Sequence, residues 1–426
     1  MPHSVPVILT SIRRKRSDAL SGGADEAIWI IALSLLAYPL LGTLIAFTSL
    51  PSLVASLPVR AIVLLLSISL IAKTKSAVWT TPNVSLFFAF WLLYFLRLLW
   101  DMFIAGIPAA GDYMFTFVAF CIPPALALMH RPAVNEEKLT KLLVSLGAVT
   151  CILAILAANT DLAGERSFVE ETEGRLFLDT VNPITFGHVG VITLLAALSL
   201  TRYCSRAVEW IFATAAAALG IVTIQIASSR GPLFALSVCI LAAALFNKRY
   251  RWLLLFLVAG SLIVVTGWSD ESQNLLASRV ALITQSEGPD VRTLMMAGAF
   301  QQFLDSPLVG SAVIELQFED YPHNPFLEAA MATGIGGLLI FLVIFFNALN
   351  QIFKTLRSGS LLLPLLAIQA LIAAQVSGSL PASTSLWIML AMFAGTARRK
   401  KRPLPNASVG AGANALRSGS KPRMKE

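Results

Sequence analysis

The chain has few charged residues and few cysteines. This composition argues against a soluble protein and against a disulfide-rich or cysteine-ligated metal protein. Only 13% of its 426 residues are charged, against about 25% in soluble domains, while 56% are hydrophobic and the mean hydropathy is +0.75. The four cysteines lie within or beside apolar segments without a CxxC spacing, which favours small buried side chains over a disulfide framework or a metal site. The composition therefore predicts an all-α polytopic membrane protein.

Familiar nucleotide-binding and metal-binding motifs are also absent. There is no Walker loop, no GxGxxG that opens a helix after a strand, no HExxH, no GxSxG and no paired aspartates of a DxD site. These absences disfavour a metal-dependent enzyme that uses a nucleotide sugar, and we expect no metal and no cofactor. The net charge of +8 is accounted for by loops and a tail on one side of the membrane, so nucleic acid is not expected as a partner.

About twelve apolar runs have lengths close to that needed to cross a bilayer. They cover residues 27–47, 53–72, 84–104, 113–130, 139–158, 183–201, 208–228, 232–247, 252–267, 325–346, 360–379 and 382–397. With both termini in the cytoplasm, most of the 32 basic residues and every lysine lie on the cytoplasmic side, as the positive-inside rule requires.

These runs divide the chain into five parts. We predict a cytoplasmic N-terminal tail over 1–26, transmembrane helices 1–9 over 27–267 and a large outer loop over 268–324. Transmembrane helices 10–12 then cover 325–397, and residues 398–426 form a basic, disordered cytoplasmic tail. The large loop is expected to contain a surface helix over 273–285 and a second helix over 291–304.

The predicted outer face carries arginine but no lysine. Arginine binds anions through a planar group with several donors, so this bias favours an anion site over the retention of a few harmless charges. The residues are Arg60, Arg166, Arg175, Arg230, Arg279 and Arg292. Arg292 has a simpler alternative role, as a solvated charge paired with a neighbouring carboxylate.

Three spans that run inwards from the outer face begin with similar sequences. Asn182-Pro183 opens the sixth, Gly231-Pro232 the eighth and Asn324-Pro325 the tenth. Asparagine caps a helix well, and proline suits its first turn. The positive ends of these helices would point outwards, each beside an arginine or a histidine. If the helices pack together, they form a cradle for a diphosphate.

His323 is the only histidine predicted on the outer face, directly before the tenth span. A base beside an anion site at a membrane surface suits a transferase that acts on a lipid-linked phosphate. A polar loop residue next to a helix cap is the alternative. Glu328, one turn into the same span, either orients nearby groups or is an interfacial carboxylate.

Three other polar residues lie inside predicted spans. Arg97 and Asp101 are four residues apart on one helix face, where a structural ion pair is favoured over a role in an active site, because unpaired charge in a membrane is costly. His188 is interpreted as a hydrogen-bonding residue between helices.

Two motifs stand out in the second half of the chain: His323-Asn324-Pro325-Phe326-Leu327-Glu328, followed by Gly334 to Gly337, and the upstream Ser229-Arg230-Gly231. They resemble the HNxxLE…GxxG signature and the SRG motif of the O-antigen ligase and polymerase family, and the resemblance covers residues 165–345. Arg292, Phe303 and Ser306-Pro307-Leu308-Val309-Gly310 resemble the stretch before the family histidine, although Ala312 stands where a second glycine is common. Gly174-Arg175-Leu176 with Asn182-Pro183 is similar to the upstream arginine segment.

The resemblance implies a GT-C-like membrane glycosyltransferase in the inner membrane of a Gram-negative bacterium, with a periplasmic active site. Its donor would be a glycan on undecaprenyl diphosphate. The acceptor would be lipid A–core for a ligase, or a second lipid-linked glycan for a polymerase of O-antigen, capsule or exopolysaccharide repeats.

The arginine-to-glycine spacing typical of some polymerases is absent, which leans the interpretation towards a ligase. Arg175, Arg230, Arg292 and Asn324 would hold the diphosphate, His323 would act as general base, and Glu328, Asn182 and Gly231 would support them. A transporter or flippase of lipid-linked glycan, and a noncatalytic assembly partner, are the alternatives from other classes.

Overall fold

The computed structural model describes residues 23–48, 52–73, 82–129, 134–159, 167–169, 176–178, 181–252 and 291–395. Its helices are α1 (Gly23–Ala46), α2 (Ser52–Ala72), α3 (Pro82–Phe103), α4 (Ala109–Met129), α5 (Glu136–Asn159), α6 (Pro183–Leu200), α7 (Ala207–Ala227), α8 (Arg230–Phe246), α9 (Val291–Asp305), α10 (Pro325–Arg357), α11 (Leu362–Ser377) and α12 (Thr384–Ala394).

The described residues confirm a helical membrane protein. Seven helices are long and apolar enough to cross a membrane, and four shorter apolar helices coincide with further predicted spans. The predicted ninth span, 252–267, the surface helix over 273–285 and the tail over 398–426 lie outside the described residues. The prediction of twelve spans therefore remains a prediction.

The segment between the fifth and sixth predicted spans departs from the all-α prediction. Strands β1 (Ser167–Val169) and β2 (Leu176–Leu178) form an antiparallel ribbon in which Phe168 pairs with Phe177. Each strand is only three residues long, so the helical class of the protein is unchanged.

Helix α12 lies at the centre of the bundle. It is 11 residues long, which gives it a length of about 16 Å, short of the roughly 30 Å of a bilayer core. It needs no lipid-matched length because other helices enclose it: the Trp387 side chain is fully buried. Its ring contacts aromatic rings of α3, α4 and α10 at centroid distances of 5.7 to 6.4 Å, namely Phe87, Phe90, Trp91, Phe117 and Phe341.

Contacts at the two ends of the bundle agree with the prediction that successive loops alternate between the two sides of the membrane. At one end, Lys138 pairs with Asp25 at 3.1 Å, and the Arg202 guanidinium donates to the carbonyl of Gly359. All four residues were predicted to be cytoplasmic. Val313, one of the predicted outer residues, donates its N–H to Asp101 near the C-terminus of α3, at the opposite end of the bundle. The structure separates the two sets of loops, and the assignment of one set to the cytoplasm stays a prediction.

Helix α10 is interrupted at Gly334, whose φ of 65° and ψ of −167° are not helical. The segment that follows α9 closes the break. The Ile335 N–H donates to the carbonyl of Pro307, and the Ser311 N–H donates to the carbonyl of Met331, both at 2.8 Å. Backbone polar groups away from water need partners, so this loop is an integral part of the helix it crosses.

Candidate active site

The turn from α7 to α8 presents Arg230 at the start of a helix. Ser228 ends α7 in the left-handed conformation with a φ of 44°, and Ser229 is extended and buried. The Ser229 side chain makes no capping hydrogen bond. Arg230, the first residue of α8, is exposed. The positive end of α8 is therefore not capped by the residue that precedes it.

The starts of α6 and α8 pack directly on each other. A Cβ added to Gly187, in the second turn of α6, would lie 2.5 Å from the Cγ of Pro232. Only glycine allows this approach. The two predicted helix starts, Asn182-Pro183 and Gly231-Pro232, are thus neighbours.

The C-terminus of α11 lies beside the start of α8. A Cβ on Gly231 would lie 3.1 Å from Cγ2 of Val376, the penultimate residue of α11. Arg292, in the first turn of α9, donates from Nη1 to the Val376 carbonyl oxygen at 2.9 Å. A helix C-terminus has unpaired carbonyls and a partial negative charge, so it attracts the guanidinium. Val376 therefore brings Arg292 next to the turn that carries Arg230.

His323 forms a cluster with Arg230 and Arg292 around the C-terminus of α11. Its ring interacts with the backbone of Ser377, the last residue of α11, and with the Arg292 guanidinium. The Tyr321 ring contacts the imidazole with centroids 4.4 Å apart. The backbone of His323 is left-handed, with a φ of 53°, a conformation that costs a residue with a Cβ about 1–2 kcal/mol. Such local strain is concentrated at functional sites.

The charge state of His323 follows from its surroundings. Burial lowers the pKa of His323 below the ordinary 6.5, the Arg292 guanidinium lowers it further, and the Asp320 carboxylate and the Ser377 backbone oppose the shift. The imidazole is therefore neutral at physiological pH. Its Nδ1 is buried and has no hydrogen-bond partner among the described residues, which leaves a nitrogen lone pair open for a proton.

The capping predictions are confirmed for two of the three helix starts. The Asn324 side-chain oxygen accepts from the N–H groups of Phe326 and Leu327 at 3.0 and 3.2 Å. The Asn182 oxygen accepts from the Thr185 N–H at 2.8 Å. In both cases the asparagine side-chain oxygen caps the helix by accepting hydrogen bonds from backbone N–H groups of its first turn.

Glu328 is fully buried and is not an interfacial carboxylate. Its Oε1 accepts from the Tyr94 hydroxyl and its Oε2 from the Leu380 N–H, both at 2.7 Å. The Trp387 indole N–H donates to the Leu380 carbonyl at 2.7 Å. The Glu328 carboxylate is thus enclosed in the core behind the cluster.

The intramembrane polar residues have structural contacts. Arg97 Nε lies 3.0 Å from Asp101 Oδ1, and Asp101 Oδ2 accepts from the Val313 N–H at 2.7 Å. The pair therefore tethers the outer loop to α3. His188 contacts Gln369 across α6 and α11 at 3.0 Å, in agreement with the interpretation of it as an interhelical residue.

Several participants carry no signal in the sequence. Val376, Ser377 and Leu380 take part through backbone atoms or apolar contacts, and Tyr94 is one aromatic residue in an aromatic helix. Arg175 lies outside the described residues, directly before β2. The structure thus brings Arg230, Arg292 and His323 around the end of α11, while the functional roles of these residues stay predictions.

Fold and site together define a helical, polytopic membrane protein with two arginines and a neutral histidine gathered at one end of its bundle. Residues 215–342 match the family model described as O-antigen ligase. The match contains Arg230, Arg292 and His323, and it confirms the resemblance seen in the sequence. A search of curated proteins found no match.

Proposed function

We propose that this protein is a membrane glycosyltransferase that transfers a glycan from undecaprenyl diphosphate to lipid A–core at the periplasmic face of the inner membrane. The observation that carries the proposal is the convergence on Val376, where Arg292 binds the carbonyl and Gly231 packs against the side chain. The shared neighbour brings two arginine-bearing helix starts and a histidine-bearing loop to one place.

In the proposed site, the donor diphosphate is held by Arg230 and Arg292, with Arg175 in support. Arginine–phosphate pairs are charge-assisted and often bidentate. The start of α8, where the Ser229 side chain makes no capping hydrogen bond, adds a positive dipole end beside Gly231. These groups stabilise the negative charge that develops as the diphosphate leaves, the contribution that usually dominates in such reactions.

His323 is proposed as the general base. The acceptor hydroxyl attacks the anomeric carbon of the donor sugar, the bond from that carbon to the diphosphate oxygen breaks, and its electron pair leaves with undecaprenyl diphosphate. The hydroxyl proton passes to the neutral imidazole, a step that contributes about 10² to 10⁴-fold. Because Nδ1 is shielded from solvent, the acceptor must displace a neighbouring group, and Tyr321 is the ring in contact.

The same chemistry serves a second acceptor class. If the hydroxyl belongs to another lipid-linked glycan, the enzyme is a polymerase of O-antigen, capsule or exopolysaccharide repeat units. The arginines and the histidine have the same roles in both reactions, so the acceptor has to be identified by experiment.

A deletion strain separates the acceptors. Loss of a ligase leaves bare lipid A–core while long polymer accumulates on the lipid carrier. Loss of a polymerase leaves core that bears single repeats, or abolishes a secreted polysaccharide. Transfer by purified protein in EDTA, with undecaprenyl-diphosphate-linked glycan and either acceptor, completes the test. A protein that moves the donor across a bilayer without breaking the glycan bond would be a flippase, and the proposal would fall.

A further inference from the structure

We infer that Tyr94 and Glu328 are positioning residues that hold His323 against the end of α11, an inference that rests on the proposed function. Glu328 follows His323 by five residues, in the first turns of α10. Its hydrogen bond to Leu380 joins this part of α10 to the connection between α11 and α12. Leu380 follows Ser377, the backbone partner of His323, by three residues.

The contacts of Glu328 explain why a buried carboxylate is retained. A buried polar group is costly unless its hydrogen bonds are satisfied, and each oxygen of Glu328 has one donor at 2.7 Å. The donor side chain, Tyr94, is itself fully buried. A packed apolar residue would avoid the cost of burial, but it could not fix the Leu380 backbone. The bond to Leu380 is therefore the contact that the carboxylate supplies.

Leu380 is held from two directions, which makes the connection rigid. Its N–H donates to Glu328 and its carbonyl accepts from the Trp387 indole N–H, each at 2.7 Å. Two residues come directly before this connection. Val376 accepts the hydrogen bond from Arg292, and the backbone of Ser377 interacts with His323. A displacement of Leu380 would therefore shift the arginine relative to the histidine.

Glu328 does not itself reach the reacting atoms. It is fully buried, and both oxygens are occupied by core donors. It acts through the placement of His323 and Arg292. Since a misplacement of about 1 Å can cost about 10²-fold in rate, loss of this contact is expected to lower turnover without removing any catalytic group.

The test uses Tyr94→Phe, Glu328→Gln and the control Tyr250→Phe in full-length purified protein. Tyr94→Phe removes one hydroxyl hydrogen bond, and Glu328→Gln replaces one acceptor oxygen with an NH2 group, so that only one of the two donors keeps an acceptor oxygen. Tyr250 is a buried tyrosine at the other end of the bundle whose hydroxyl has no hydrogen-bond partner among the described residues. We expect the first two variants to lower kcat about 10 to 100-fold with little change in donor KM, and Tyr250→Phe to leave kcat unchanged.

Two further measurements distinguish positioning from general stability. Hydrogen exchange of residues 378–383 should become about tenfold faster in Tyr94→Phe, while exchange elsewhere is unchanged. In a His323→Gln background, Tyr94→Phe should lower the residual rate by a smaller factor than in the wild type, because one of the two groups it positions is gone. Unchanged kcat and exchange in both variants would overturn the inference. Faster exchange throughout the chain, with losses that multiply in the double variant, would also overturn it.

The exchange measurement does not depend on catalysis. If the wild-type protein transfers no glycan but exchange at 378–383 still responds to Tyr94→Phe alone, the contact is confirmed and the proposed function fails. If the wild type is active and both variants match it, the function stands and the positioning role is wrong.

Discussion

Arg292 binds the carbonyl oxygen of Val376, a residue 84 positions further along the chain, at 2.9 Å. This hydrogen bond connects helix α9, in the predicted outer loop, to the C-terminus of α11. The same valine touches Gly231 at the start of α8. Three elements that are separate in the sequence therefore meet at one residue with no polar side chain.

Lysine is predicted not to replace Arg230 or Arg292 in glycan transfer. Arg230→Ala and Arg292→Ala should each lower transfer about a hundredfold or more, because a donor to the leaving diphosphate is lost. Arg230→Lys and Arg292→Lys should recover little, since one ammonium cannot reproduce the planar fork. Turnover of purified, monodisperse protein is the measurement, with Arg251→Ala at the other end of the bundle as the control. Full activity of the lysine variants would indicate a generic electrostatic role.

His323 is predicted to set both the rate and its pH dependence. His323→Gln should lower turnover by about 10² to 10⁴-fold while donor binding persists, because glutamine cannot accept the proton. The base must be neutral, so the wild-type rate should fall as pH drops through the histidine pKa, which lies below 6.5. A rate–pH profile from about pH 4 to 8 locates this limb. If His323 only flanks a cap, His323→Gln will be near normal and Asn324→Ala will instead destabilise the protein.

The glycines around the break in α10 are predicted to differ sharply. A Cβ on Gly334 would lie 2.4 Å from the Leu308 carbonyl oxygen, and the φ of 65° disfavours any residue with a side chain. Gly334→Ala should destabilise the protein by about 3 kcal/mol or more. Gly336→Ala is the control, because a Cβ there meets nothing within 4 Å. Thermal unfolding in detergent compares them, and equal melting temperatures would contradict the observed contact.

The Arg97–Asp101 pair is predicted to be important for stability. Asp101→Asn should destabilise by about 3–5 kcal/mol, since it leaves the mostly buried Arg97 without its counter-charge. The exposed Glu137–Lys141 pair has the same four-residue spacing, and Glu137→Gln should cost below about 1 kcal/mol. Melting temperatures of both variants test the contrast. Unaltered stability of Asp101→Asn would mean that the ion pair with Arg97 is dispensable.

The sequence predicted the features that depend on neighbouring residues. Hydropathy located the described membrane helices because an apolar run must be buried or face lipid wherever it lies. The caps at Asn182 and Asn324 were predictable because a cap acts within three residues of itself. Helix α9, observed at Val291–Asp305, agrees with the prediction of 291–304. The family motifs likewise singled out Arg230, Arg292 and His323 one by one.

Tertiary structure decided which of these features meet. The burial of Glu328, the break at Gly334 and the contact between Arg292 and Val376 depend on residues far apart in the chain. Their partners are backbone atoms or glycines, and a backbone N–H or carbonyl is the same at every position, so no residue type marks it in advance. Local sequence thus determined the helices, their caps and the charged candidates. Only packing decided that these helix starts lie beside the end of α11.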